Sequence, residues 1–205
     1  MLRVGLTGGV ACGKSTIGAM LAECGAHFLQ ADTLAHQLYL PGTPVYDAVV
    51  QAFGEAIVRS DGFIDRAALA NKAFPDRIGE LNAIVHPAVI EAQNRWLMER
   101  EAEDPHGIAV LEAALLIEAG AAKDFDKVIV VTCPFEQKVE HYAHRAGISL
   151  DAARHEVDRR GAAQFSDEEK ARHADYVIDN SGPLSKTAQQ VERVWGELRN
   201  AAHLL

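Results

Sequence analysis

The sequence predicts an α/β fold: a three-layer α/β/α sandwich around a five-stranded parallel sheet, with a helical insertion and a helical lid. Five short apolar runs (Val4–Leu6, Ala26–Leu29, Ile108–Leu111, Val128–Val131 and Tyr176–Ile178) are separated by helix-length segments, the pattern of repeated βαβ units. The fourth run, Val128-Ile129-Val130-Val131, is β-branched throughout and polar on neither face, as in a central strand covered by helices on both sides. The third observation is local. Leu2–Thr7 reads as a buried strand, Gly8–Thr16 carries G-x-x-x-x-G-K-[ST], and a helix follows to Cys24.

That loop has a defined physical use. Its glycines let successive N–H groups point inward as an anion nest, and the helix starting at Lys14 adds its positive end. The amides of Ala11, Cys12, Gly13, Lys14, Ser15 and Thr16 are the expected cradle for ATP phosphates. Lys14 reaches toward the β- and γ-phosphates, and the Ser15 hydroxyl is placed to ligate Mg²⁺. Cys12 reads as a small residue in a crowded loop, with redox control as the rarer alternative. A phosphate loop in this strand–loop–helix setting predicts the P-loop NTPase fold.

The remaining elements follow in order. Strand two ends at Gln30-Ala31-Asp32, and Asp32 reads either as a carboxylate at the phosphate edge or as the cap of a helix beginning at Thr33. Residues from about 33 to 107 are too many for one crossover and must hold several helices, broken at Pro41–Pro44, Arg59–Gly62, Pro75-Asp76 and His86-Pro87. Asp65 is the expected cap of a helix from Arg66, and Pro87 the expected first residue of a helix running to about Glu101. Such an insertion on a phosphate-binding core is the place for a second substrate. Glu112 ends strand three, where an acid holds Mg²⁺ directly or through water, while Glu118 six residues on is a second candidate; either also reads as a surface acid.

After strand four, a helix from Cys133-Pro134 to about Arg145 stops at Gly147, Ser149 caps another, and Ser166–Glu169 forms a capping box. These helices are the expected lid. Arg145 and Arg160 stand at helix ends, where they serve either a phosphoryl group or the helix dipole. Arg145, Arg154, Arg159, Arg160, Lys170 and Arg172 cluster in this third of the chain, most of them read as a solvated helical surface. His141 and His144 read as surface residues of the lid helix. A last helix, about Ser185–Ala201, carries Val191, Val194, Trp195 and Leu198 at helical spacing for packing on the sheet.

Composition limits the partners. The formal net charge of −9 speaks against nucleic acid and anionic membrane as ligands. No run of about 18 apolar residues suggests a membrane span, and no secretory leader is visible at the start. Cys12, Cys24 and Cys133 have no metal-ligand spacing and read as reduced thiols of a cytoplasmic protein. The expected arrangement is one domain, 1–205, built from a core (1–32, 105–133 and 174–205), an acceptor insertion over about 60–100 and a lid over about 134–165, with a monomer favoured.

With these residues in place, the chain resembles the dephospho-coenzyme A kinase family. The resemblance rests on ordered blocks: Leu6–Gly9 with Gly13–Thr16, Ala31–His36, Phe53-Gly54 with Asp61–Arg66, Leu81–Pro87, and Gln164, Glu169-Lys170 with Ala174–Asn180 and Gly182. It implies transfer of the ATP γ-phosphoryl group to the ribose 3′-hydroxyl of dephospho-coenzyme A, the last step of coenzyme A biosynthesis. It further implies that Asp32 is the catalytic carboxylate and that Arg145 and Arg160 are lid arginines. Residues 60–100, with His86, would bind the acceptor, and Asn180 and Gly182 would lie near adenine. Two departures stand out: Ala114 replaces a frequent proline, and His141 replaces a frequent arginine four residues before Arg145. The alternative is another small-molecule or nucleoside monophosphate kinase of the same fold.

Overall fold

The computed structural model describes residues 1–203. Five strands form one parallel sheet in the order β2-β3-β1-β4-β5: β1 (Leu2–Gly8), β2 (His27–Gln30), β3 (Ile108–Glu112), β4 (Lys127–Thr132) and β5 (Tyr176–Asp179). All five apolar runs are strands. Alternation along β4 explains its unbroken β-branched sequence. Ile129 and Val131 join the core beneath α1 (Lys14–Glu23) and α9 (Leu184–Ala202), while Val128 and Val130 pack with Leu116, Ile117 and Phe125. Val191, Val194 and Leu198 supply the buried stripe of α9, as their spacing predicts.

The chain divides into two compact units. Met1–Gln30 with Arg100 onward makes the first, which holds the sheet, and Ala31–Glu99 makes the second. In the first unit, α6 (Phe135–Ala146) ends on Gly147 at φ 65°, the left-handed stop its glycine allows. Ser149 caps α7 (Leu150–Gly161), and Ser166 opens α8 (Asp167–Ala171) with a complete capping box to Glu169. Val139, Tyr142 and Ala143 of α6 pack on Ala153 and Val157 of α7, with Val10 and Ala11 of the phosphate loop against them.

The second unit has its own core. Val45, Val49 and Phe53 of α3 (Pro44–Phe53) meet Leu69 and Ala73 of α4 (Arg66–Ala73), with Ile57 and Ile64 between. The Asp65 carboxylate caps α4 by accepting from the amides of Ala67 and Ala68. Two expectations are corrected here. Helix α2 (Ala31–Leu38) begins two residues early, so Asp32 lies inside its first turn and does not cap a helix starting at Thr33. Helix α5 (Ile78–Glu103) runs through Pro87 without ending at His86. A proline there forfeits one backbone bond, and Ile78, Leu81, Ile84, Val85 and Ala88, packed on the second core from both sides of it, hold the helix continuous. Among the described residues no helix is long and apolar enough to cross a membrane.

Candidate active site around the phosphate loop

Strand β1 delivers the loop at the C-terminal edge of the sheet. Register sets its neighbours: Leu6 pairs with Glu112 on one side and Gly8 with Val131 on the other. The turn needs positive φ at Ala11 (54°) and Gly13 (94°), and Gly13 is the N-cap of α1. Two glycines are also demanded by close packing. A Cβ at Gly8 would lie 2.3 Å from the Val131 carbonyl oxygen, and one at Gly13 2.3 Å from the Asn180 amide nitrogen.

Lys14 folds back over the loop, its ammonium donating to the Gly9 carbonyl at 2.9 Å and the Gly8 carbonyl at 3.2 Å. The Ser15 hydroxyl donates to one oxygen of Glu112 at 3.1 Å, and the Gln30 amide donates to the other at 2.9 Å. Hydroxyl and carboxylate are the hard oxygen ligands that Mg²⁺ takes, with phosphate oxygens and water completing its shell. The pair therefore fits that ion. Among the described residues no cluster of three His, Cys, Asp or Glu side chains forms a metal cage by itself.

Asn180 is buried, donates its amide to the Cys12 carbonyl at 2.9 Å and accepts at its own oxygen from Thr187 at 2.8 Å. Both ends of the amide are thus fixed beneath the loop, and the fully buried Thr187 sets its orientation. Thr187 had no sequence signal beyond its place in an amphipathic helix. Gly182 lies between β5 and α9. Cys12 is buried, and that burial pushes its thiol up despite the nearby Lys14 ammonium; burial also pushes Cys133 up to about 11.

Two lid contacts meet the loop, and a third joins lid residues to one another. His141 is exposed on the lid helix, as the sequence suggests, and its Nδ1 also lies 3.0 Å from the Ala11 carbonyl oxygen of the phosphate loop. The Lys138 ammonium and Asp167 carboxylate pair at 2.7 Å beside Gly9. Arg145 and Arg160 come together on one ring, each guanidinium 5.3 Å from the centre of Tyr142. Lys170, grouped by sequence with a solvated basic surface, is fully buried. It pairs with Glu118 at 3.0 Å, and the same carboxylate oxygen accepts from the Phe165 amide. Asp32 and His86 are exposed residues of the second unit, in α2 and α5.

The family model described as CoaE, dephospho-CoA kinase, matches residues 2–186. The chain is similar to the dephospho-CoA kinase of Aquifex aeolicus, at 42% identity over 200 residues, covering 97% of this chain and 98% of that one. Its fold is similar to that of TT1252 from Thermus thermophilus, with TM-score 0.79, 34% identity and coverage of 96% and 97%. A similar match is the dephospho-CoA kinase from Campylobacter jejuni, with TM-score 0.71, 25% identity and coverage of 97% and 98%. The chain belongs to the dephospho-CoA kinase family.

Proposed function

We propose that this protein transfers the γ-phosphoryl group of ATP to the ribose 3′-hydroxyl of dephospho-coenzyme A, giving coenzyme A and ADP. The observation that carries the reading is the G-x-x-x-x-G-K-S loop with Glu112 hydrogen-bonded to Ser15, in a chain matched by this family over residues 2–186. The transfer is a single in-line displacement with no covalent intermediate. The transition state is loose, so positioning and charge stabilisation outweigh base strength.

The chain's own groups divide the work. The loop amides and Lys14 hold the phosphates, which requires the Lys14 ammonium to exchange its Gly8 and Gly9 carbonyls for phosphate oxygens. Ser15 and Glu112 would hold Mg²⁺, which would supply countercharge to the phosphates. Arg145 and Arg160 offer planar guanidinium groups to the phosphates, pre-ordered by the shared Tyr142 ring. Asp32, two residues beyond the Gln30 that grips Glu112, orients the acceptor hydroxyl and receives its proton on a carboxylate oxygen. His86 contributes to acceptor binding, and Asn180 and Gly182 form the adenine end. Closure of the 134–165 lid excludes water and so suppresses ATP hydrolysis. A cytoplasmic monomer, acting on small molecules without nucleic acid or membrane, completes the reading.

An ADP-release assay tests it. ATP and Mg²⁺ are supplied with dephospho-coenzyme A, or with a panel of nucleoside monophosphates, shikimate and gluconate. Release that depends on dephospho-coenzyme A, with coenzyme A as product, is expected. Faster turnover of another acceptor would replace this reading by that of a different small-molecule kinase.

A further inference from the structure

The Gly8 carbonyl receives two ammonium groups. Lys14 approaches it from the loop side at 3.2 Å and Lys170 from the protein interior at 3.5 Å. Lys170 is 0% exposed, and its remaining protons go to the Ala114 carbonyl at 3.0 Å and Glu118 at 3.0 Å. A buried lysine with three acceptors is satisfied, yet an apolar pair of similar volume is commonly as stable or more so. Glu118 makes stability a still poorer explanation: its second oxygen is buried and has no hydrogen-bond partner among the described residues. The pair sits where the loop begins. Ala114 O, which also accepts from Thr7 of β1 at 3.3 Å, ties the end of β3 to the same point.

Phosphate binding asks Lys14 to leave Gly8 O. We propose that Lys170 is a positioning residue for this step: it holds the Gly8 carbonyl from the buried side, so that the oxygen keeps a charged donor when Lys14 moves to the nucleotide. Glu118 compensates the buried cation and, through the Phe165 amide at 2.9 Å, links it to the end of the lid segment. Lys170 touches neither substrate nor reacting atoms. Its effect is exerted through Lys14, and the proposal rests on the reading of the loop as an ATP site.

Calorimetric titration of the full chain with ATP and Mg²⁺, without acceptor, tests it on four backgrounds: wild type, Lys170→Met, Lys14→Met and both together. Lys170→Met is expected to raise the ATP Kd about tenfold when Lys14 is present, the size of one lost charge-assisted hydrogen bond. With Lys14→Met already in place it should change Kd less than about twofold, because no ammonium then has to leave Gly8 O. An equal rise on both backgrounds, or none on either, overturns the proposal. If Lys170→Met does not fold, Lys170→Met with Glu118→Met removes both buried charges and takes its place in the same cycle. Failure of that variant to fold also overturns the proposal, since the pair would then be a requirement of folding. Absence of ATP binding by the wild-type chain is a different result: it removes the nucleotide site, and the proposal with it.

Discussion

The Asn180 amide nitrogen stands where residue 13 would place a Cβ, 2.3 Å from that position. The loop glycine and the asparagine beneath it therefore exclude any side chain between them. At φ 94°, an alanine at position 13 would also be strained in its own backbone. Gly13→Ala is expected to lose about 2 kcal/mol or more of stability and most ATP affinity. Denaturant melts and ATP titration measure both. Adding Asn180→Ala relieves the clash but leaves the backbone strain, so the double variant should recover only part of the loss.

Gly9 gives a graded contrast. A Cβ there would meet the Lys138 ammonium at 2.7 Å and the Asp167 carboxylate at 2.9 Å, atoms at the ends of side chains that can shift. Gly9→Ala should fold normally and weaken ATP binding several-fold less than Gly13→Ala does. A loss as large as that of Gly13→Ala would show that the Lys138–Asp167 pair is rigid.

Asp32→Asn keeps the size of the side chain and removes its basicity. The variant should fold and bind ATP like the wild type while kcat falls roughly 10²- to 10⁴-fold. Full turnover would remove Asp32 from the proton-accepting role.

Glu112→Gln leaves a hydrogen-bonding partner for Ser15 and removes the negative charge. The Mg²⁺ concentration for half-maximal activity is expected to rise about tenfold or more, with a smaller change at saturating metal. An unchanged Mg²⁺ requirement would assign the ion to other oxygens.

Cys133 supplies a prediction about pH. Burial raises its thiol from 9.0 to about 11 in the folded chain, so the folded state keeps a proton that the unfolded state gives up first. Its contribution is fully present below pH 9 and is lost as pH rises toward about 11. Urea melts at pH 8 and pH 10.5 should show a smaller alkaline loss for Cys133→Ala than for wild type.

The sheet was legible because its strands announce themselves locally: Val128–Thr132 of β4 are all β-branched, and β1 leads into a loop with one physical use. Caps were legible for the same reason, as at Asp65, Ser149 and Ser166, where one oxygen meets amides two or three residues away. Pro87 misled because local stiffness argued for a boundary that packing on the second core overrode. The supports of the loop were hidden for a different reason. Lys170 meets Gly8 across 162 positions and Asn180 meets Cys12 across 168, and neither residue type carries a local sign of burial. Lys170 in particular reads as one more basic residue on a helix until the fold closes over it.

The pairing of Leu6 with Glu112 and of Gly8 with Val131 has a consequence for how this protein can change. The distance from Ser15 to its acid is gauged by the ladder between β1 and β3, in steps of about 3.3 Å, with faces alternating at each step. A single residue inserted within β3 would turn Glu112 toward the opposite face, and no rotamer could bring it back. A residue inserted in the turns between β3 and β4 leaves that gauge intact. Length variation should therefore be tolerated between Glu118 and Lys127 and forbidden between Ile108 and Glu112, whatever the inserted side chain.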